Sequence, residues 1–198
     1  GSNIQLTIDL EYQSILQEEL QRRIDESGAK GAMGVLMDPQ NGDILAMASL
    51  PDFDLNNPNM TPLENQKNKV ITDQFEPGST FKIVAATAAL NTGKISLNDE
   101  FNCEVGKFEF DGWTISDHGK FGVLTFPQII ANSSNVGVIK IAQIIGKEPL
   151  YRLSRNYGFG TPTGISFPGE SQGILRQKKD WSKMSLASIS IGYEVGVT

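Results

Sequence analysis

Three features of the sequence predict an α+β fold in which helices pack on an antiparallel sheet. Asp9 precedes a segment whose apolar Tyr12, Ile15, Leu16, Leu20 and Ile24 recur at the helical period and stop at Gly28. Two β-prone runs, 32–38 and 43–49, flank Pro39-Gln40-Asn41-Gly42, and its Asn-Gly pair is a strong hairpin signal. From Lys82 onward most of the periodic segments are helical, so the sheet has one clear hairpin and helices predominate after it.

Each later element has its own local justification. Residues 50–73 are rich in Pro and Asn and read as a long loop. Pro77 and Gly78 interrupt the chain before Ile83-Val84-Ala85-Ala86-Thr87-Ala88-Ala89-Leu90, a strong helix former that Gly93 closes, so a helix begins near Ser79. Residues 100–124 carry Phe108, Phe110, Trp113 and Phe121 among glycines and read as short strands and turns. Thr125-Phe126-Pro127-Gln128 is a capping box for a short helix through Ile130, and a second apolar helix follows Asn135 and ends at Gly146. A further helix covers 149–157 and stops at Gly158, and 161–164 and 168–169 are turn.

Composition bounds the function. The 198 residues, 39% hydrophobic and 20% charged, suit one domain over 1–198, with no apolar run of membrane-spanning length and no signal-peptide pattern. A formal net charge of −6 disfavours nucleic acid and anionic lipid as partners. Cys103 is the single cysteine and His118 the single histidine, which argues against an internal disulfide, a cysteine or histidine metal centre and a Ser-His-Asp triad, and no cofactor is expected. Beside Asp117 and Gly119, His118 reads as part of a polar turn rather than a general base.

Nucleophilic chemistry is suggested by Glu76-Pro77-Gly78-Ser79-Thr80-Phe81-Lys82. A spacing of three residues is about one helical turn, so Ser79 and Lys82 share a face, with Ser79 where unpaired N–H groups and the positive dipole end would stabilise an oxyanion. A serine hydroxyl needs a base, and lysine can act as one only when neutral, a state that burial favours. Ser27 and Lys30 match the same S-x-x-K spacing but straddle Gly28, the expected helix end.

Ser133-Ser134-Asn135 supplies a second hydroxyl and an amide at a helix-to-helix junction, from which they can point into the same cleft. The S-x-N spacing also occurs at Ser96–Asn98 and Ser154–Asn156, so the junction rather than the tripeptide carries the argument.

Together these residues resemble the transpeptidase domain of penicillin-binding proteins, in which an S-x-x-K motif is followed by an S-x-N-type and a K-T-G motif. The resemblance extends through Val35 to Ser49, Asn132 to Ala142, Gly158 to Glu170 and Ser190-Ile191-Gly192-Tyr193, and its linking segments look most like the class B group serving cell division or elongation. It implies the penicillin-recognising serine acyltransferase fold and acyl transfer on D-Ala-D-Ala-ended peptidoglycan stem peptides. It also implies that Ser79 is the acylated nucleophile, Lys82 its base, Ser133 a proton shuttle and Asn135 a contact to lysine and substrate. β-Lactams would imitate the substrate. The parent protein would be membrane-anchored, extracytoplasmic and part of a cell-wall synthesis complex.

The sequence departs from the family in having no K-T-G. Asn91-Thr92-Gly93 closes the Ser79 helix instead, and Thr198 reads as the cap of a further helix, so the expectation is a truncated domain with an incomplete sheet and little or no activity. Other readings are a β-lactam sensor that is acylated without turnover, a β-lactamase using Glu170 to activate water, and a catalytically dead structural fragment.

Overall fold

The computed structural model describes residues 2–198, which form two compact units. The first comprises the chain up to Asp73 together with Pro168–Ser171 and Thr198. Its long helix α1 (Leu10–Ser27) is capped by Asp9, whose carboxylate accepts from the N–H groups of Glu11 (2.9 Å) and Tyr12 (3.2 Å). It ends at Gly28, in the left-handed region at φ 68° with its N–H on the Ile24 carbonyl.

Strands β1 (Ala32–Met37) and β2 (Ile44–Leu50) form the expected antiparallel hairpin, with Val35 opposite Met47 and Gly34 opposite Ala48. Gly34 lies under α1, where a Cβ would stand 2.9 Å from Leu16 Cδ1. The Gln13 side chain docks on β2, donating to the Met47 carbonyl and accepting from the Met47 N–H, each at 2.9 Å. The outer edge of β2 is thus occupied there by a side-chain amide. Antiparallel alternation turns the N–H and C=O of Val35, opposite Met47, toward the far edge of β1.

The segment 50–73 departs from the featureless loop expected. It contains 3₁₀ turns at Pro58–Met60 and Leu63–Gln66 and a one-turn helix, α2 (Lys69–Thr72). Burial of the adjacent Val70 and Ile71 anchors α2, and tertiary contact outweighs its weak local signal.

The second unit holds Gln74–Phe167 and Gln172–Val197. A 3₁₀ turn, Gly78–Phe81, runs into α3 (Lys82–Asn91), and Gly93 follows its end at φ 67°. Short strands β3 (Glu100–Asn102), β4 (Lys107–Phe110), β5 (Trp113–Ser116) and β6 (Val123–Thr125) pair as β3–β6 and β4–β5. Helices α4 (Phe126–Ala131), α5 (Asn135–Ile145) and α6 (Lys147–Asn156) follow, and Gln128 Oε1 accepts from the Thr125 N–H (2.9 Å) in the expected capping box. Strand β7 (Ile174–Leu175) pairs with β8 (Val195–Gly196), with α7 (Lys183–Ser190) between them in sequence.

Helix α5 is the centre of this unit. Val136, Val138, Ile139, Ile141 and Ala142 are buried, and α3, α4, α6 and α7 pack around it with Phe81, Ala85, Ile129, Leu150 and Ile189. The serine-rich α7 and the β7–β8 ladder carry weak local signals, and the sequence reading lacks both. Ser182 caps α7 through the Ser185 N–H (2.9 Å), and burial of Leu186, Ala187 and Ile189 fixes the helix despite mediocre propensity. Among the described residues, every ladder is two-stranded.

Candidate active site

All four site residues singled out in the sequence lie in the second unit. Ser79 occupies the 3₁₀ turn that leads into α3, and its residue is exposed. With three residues per 3₁₀ turn, positions 79 and 82 lie in line, and the Lys82 N–H bonds back to the Ser79 carbonyl. The turn is braced from below, because Gly78, at φ 58°, donates its N–H to the Gly192 carbonyl at 3.0 Å. Gly192 has φ 84°, and a Cβ there would stand 2.0 Å from the Gly78 carbonyl oxygen, so no larger residue fits this crossing unless the chain moves.

Lys82 is only 2% exposed. Its Nζ donates to the Ser133 carbonyl (2.6 Å), to Ser133 Oγ (3.0 Å) and to Asn135 Oδ1 (2.7 Å), which uses all three ammonium protons. Burial pushes the Lys82 pKa down to about 8, opposed by the negative charge of Asp117. The structure therefore brings Lys82, Ser133 and Asn135 into one hydrogen-bonded cluster, and places Ser79 one turn before the lysine without a share in those three bonds.

The junction between α4 and α5 explains this convergence. Ser133 adopts φ 52°, unusual for a residue with a Cβ, and so presents its carbonyl and its hydroxyl to the same ammonium. Ser134 follows as the fully buried N-cap of α5, its Oγ accepting from the Gly137 N–H (3.0 Å). Asn135 donates Nδ2 to the Ser116 carbonyl (2.9 Å), which orients its Oδ1 toward Lys82.

The sequence reading missed Asp117. Its carboxylate accepts from Ser134 Oγ (2.7 Å), the Asn135 N–H (2.5 Å) and the Val136 N–H (3.1 Å). Nothing local in Ser116-Asp117-His118-Gly119 signals this, since the partners lie 17 to 19 residues further along. His118 is exposed and meets the Phe121 ring edge-on, with centroids 5.3 Å apart. Cys103 is buried, which pushes its thiol pKa up and keeps it in the protonated, unreactive form.

The competing motif matches are absorbed by local structure. Ser27 Oγ bonds the Arg23 carbonyl (2.6 Å) at the end of α1, Ser96 Oγ bonds Asp99 Oδ1 (2.7 Å) in a turn, and the buried Ser154 Oγ bonds the Leu150 carbonyl (2.8 Å) inside α6. Glu170, the alternative carboxylate, belongs to the first unit.

Comparison with known proteins gives the family of the chain. The penicillin binding protein transpeptidase domain family matches residues 32–198. The chain is 37% identical over 197 residues to the probable peptidoglycan D,D-transpeptidase PbpC of Pseudomonas aeruginosa, covering 100% of this chain and 35% of that protein. It is 35% identical over 196 residues to the peptidoglycan D,D-transpeptidase FtsI of Escherichia coli, covering 99% of this chain and 33% of that protein. The chain thus spans about a third of the length of these curated relatives. Among solved structures, the transpeptidase domain of penicillin-binding protein 3 from Burkholderia pseudomallei superposes with a TM-score of 0.86 at 31% identity, covering 100% of this chain and 56% of that one. A peptidoglycan glycosyltransferase from Burkholderia ambifaria gives 0.87 at 30%, covering 98% and 57%. With its helices and small antiparallel ladders in the α+β arrangement of these neighbours, the chain belongs to the penicillin-binding protein transpeptidase domain family.

Proposed function

We propose that this chain carries the acyl-transfer centre of a class B peptidoglycan D,D-transpeptidase, with Ser79 as nucleophile, Lys82 as base, Ser133 as proton shuttle and Asn135 as the group that orients the lysine. The observation that carries the reading is the buried Lys82 held by Ser133 and Asn135 one turn after an exposed serine. With a pKa of about 8, roughly one lysine in ten is neutral at pH 7, whereas an ordinary lysine is almost wholly charged.

Of the three groups that hold Nζ, only the Ser133 hydroxyl has a proton of its own to give. A neutral Lys82 can take the Ser79 proton as Oγ attacks the penultimate D-Ala carbonyl of a stem peptide. That proton passes through Ser133 to the terminal D-Ala nitrogen as the C–N bond breaks. An amine of a neighbouring stem then attacks the acyl-serine, closes the cross-link and frees Ser79. Unpaired backbone N–H groups at the start of the turn would stabilise the developing oxyanion. A β-lactam would enter by the same attack and stay attached, because its leaving group remains tethered. The substrate places this chemistry on the extracytoplasmic side, in a membrane-anchored protein working with other cell-wall synthesis proteins in division or elongation. Among the described residues no helix is long and apolar enough to cross a membrane.

The test is prolonged incubation of the 198-residue chain with a penicillin, followed by peptide mapping. A slow adduct on Ser79 that Ser79→Ala abolishes is expected. An adduct on another residue, one that survives Ser79→Ala, or none at saturating penicillin overturns the reading.

A further inference from the structure

We propose that Asp117 is the positioning residue of this centre: its carboxylate pins the Ser133–Asn135 turn in place and sets a negative charge toward the Lys82 ammonium. The first half rests on geometry. One carboxylate collects three donors from consecutive residues, the Ser134 hydroxyl and the N–H groups of Asn135 and Val136. The two amides open α5 and have no partner within the helix, so Asp117 supplies acceptors that the helix start lacks. Ser133, immediately before them, is held at φ 52°, a conformation that relaxes unless its neighbours are fixed. Once residues 134–136 are tied to Asp117, both oxygens of Ser133 and Oδ1 of Asn135 stay on Nζ.

The second half concerns charge. Asp117 is the charged group acting on Lys82, and it favours the ammonium against burial. Asp117 and the Lys140–Glu104 ion pair both act on the Cys103 thiol, which burial keeps neutral, and the two charges of the pair offset one another there. The carboxylate therefore stabilises the ammonium that Lys82 becomes on taking the Ser79 proton, until that proton passes to the leaving group.

The proposal rests on the reading of Lys82 as the base, but its test does not need acylation. The Lys82 side chain is followed by NMR in lysine labelled with ¹³C, through a pH titration of wild type, Asp117→Asn and Asp117→Glu. Asp117→Asn should lower the Lys82 midpoint by about half a unit or more, because the ammonium loses its counter-charge, and Asp117→Glu should restore it. Unchanged midpoints in all three overturn the electrostatic role.

In the wild type, the Asn135 and Val136 amides should exchange with deuterium at least about tenfold more slowly than Lys183 and Met184. Those two occupy the same first positions of α7, where the Ser182 cap bonds only Ser185. Equal exchange overturns the pinning role even if Asp117→Asn fails to fold. Loss of penicillin addition in the wild type with these shifts intact would sink the transpeptidase reading and leave this one standing.

Discussion

Gly192 crosses Gly78 so closely that a Cβ on Gly192 would stand 2.0 Å from the Gly78 carbonyl oxygen, and the Gly192 carbonyl accepts the Gly78 N–H at 3.0 Å. The residue before Ser79 is thus held by backbone alone. Gly192→Ala must push this crossing apart at a positive φ, so it should cost roughly 1–3 kcal/mol in denaturant unfolding. It should also slow penicillin addition to Ser79 more than a control, Gly112→Ala, which has a similar φ but open space around it. Equal rates for the two variants would show that the brace does not place Ser79.

Ser133 combines a strained backbone with a hydroxyl proposed to move a proton, and two substitutions separate these. Ser133→Ala keeps the strain, whereas Ser133→Gly releases it and should be the more stable of the pair by about 1 kcal/mol. Both should slow acylation by roughly 10² to 10⁴ if the hydroxyl moves a proton. Chemical denaturation and adduct kinetics on the two variants check the two halves independently.

The other S-x-N matches provide an internal control. Ser96→Ala and Asn156→Ala change a surface turn and the exposed end of α6, and should leave acylation within a factor of about two, as ordinary surface substitutions leave stability within about half a kcal/mol. Asn135→Ala removes the Nδ2 bond to Ser116 and the Oδ1 bond to Lys82 and should slow it at least tenfold, since a hydrogen bond to a charged group is worth about 1.5–3 kcal/mol. Comparable rates across the series would break the assignment.

Lys82 predicts a pH dependence of stability with a definite sign. Its folded pKa of about 8 lies below the ordinary 10.5, so between these values the unfolded chain binds more protons. Stability from this group therefore rises as pH climbs from 8 to 10.5, and is lost as pH falls back through 8. Subtracting the profile of Lys82→Met isolates the effect, because the raised Cys103 thiol acts oppositely in this range but equally in both proteins. A flat difference curve would mean that Lys82 is solvated.

Removing Gln13 should loosen β2. In Gln13→Ala the Met47 amide loses its acceptor, worth about 1 kcal/mol, and should exchange roughly fivefold faster with deuterium. No change at Met47 would show that the amide is protected by other means.

What could be read from the sequence divides along the range of the interactions. The Asp9 cap, the Gly28 stop, the Asn41-Gly42 turn and the Thr125–Gln128 box are each settled within four residues, and all appear where expected. The one-turn spacing of Ser79 and Lys82 was legible because it is local, although that turn is 3₁₀ rather than α. Asp117 was not, because its partners are two backbone amides and a hydroxyl supplied by another element, and backbone donors carry no sequence signature. Helix α7 was hidden for a related reason: its serines are poor helix formers, and only the packing of Leu186, Ala187 and Ile189 makes the helix pay.

The docking of Gln13 on β2 makes the hairpin asymmetric as a building block. A β-ladder extends only where donors and acceptors are vacant, so a newcomer meets a finished margin at β2 and a receptive one at β1. Two copies meeting through this hairpin would join β1 to β1 about a two-fold axis, and each would then present only its blocked side. Edge pairing of this kind stops at a pair instead of running on into a filament, and what terminates the series is the Gln13 amide on Met47 together with the Asp9 N–H on the Leu45 carbonyl.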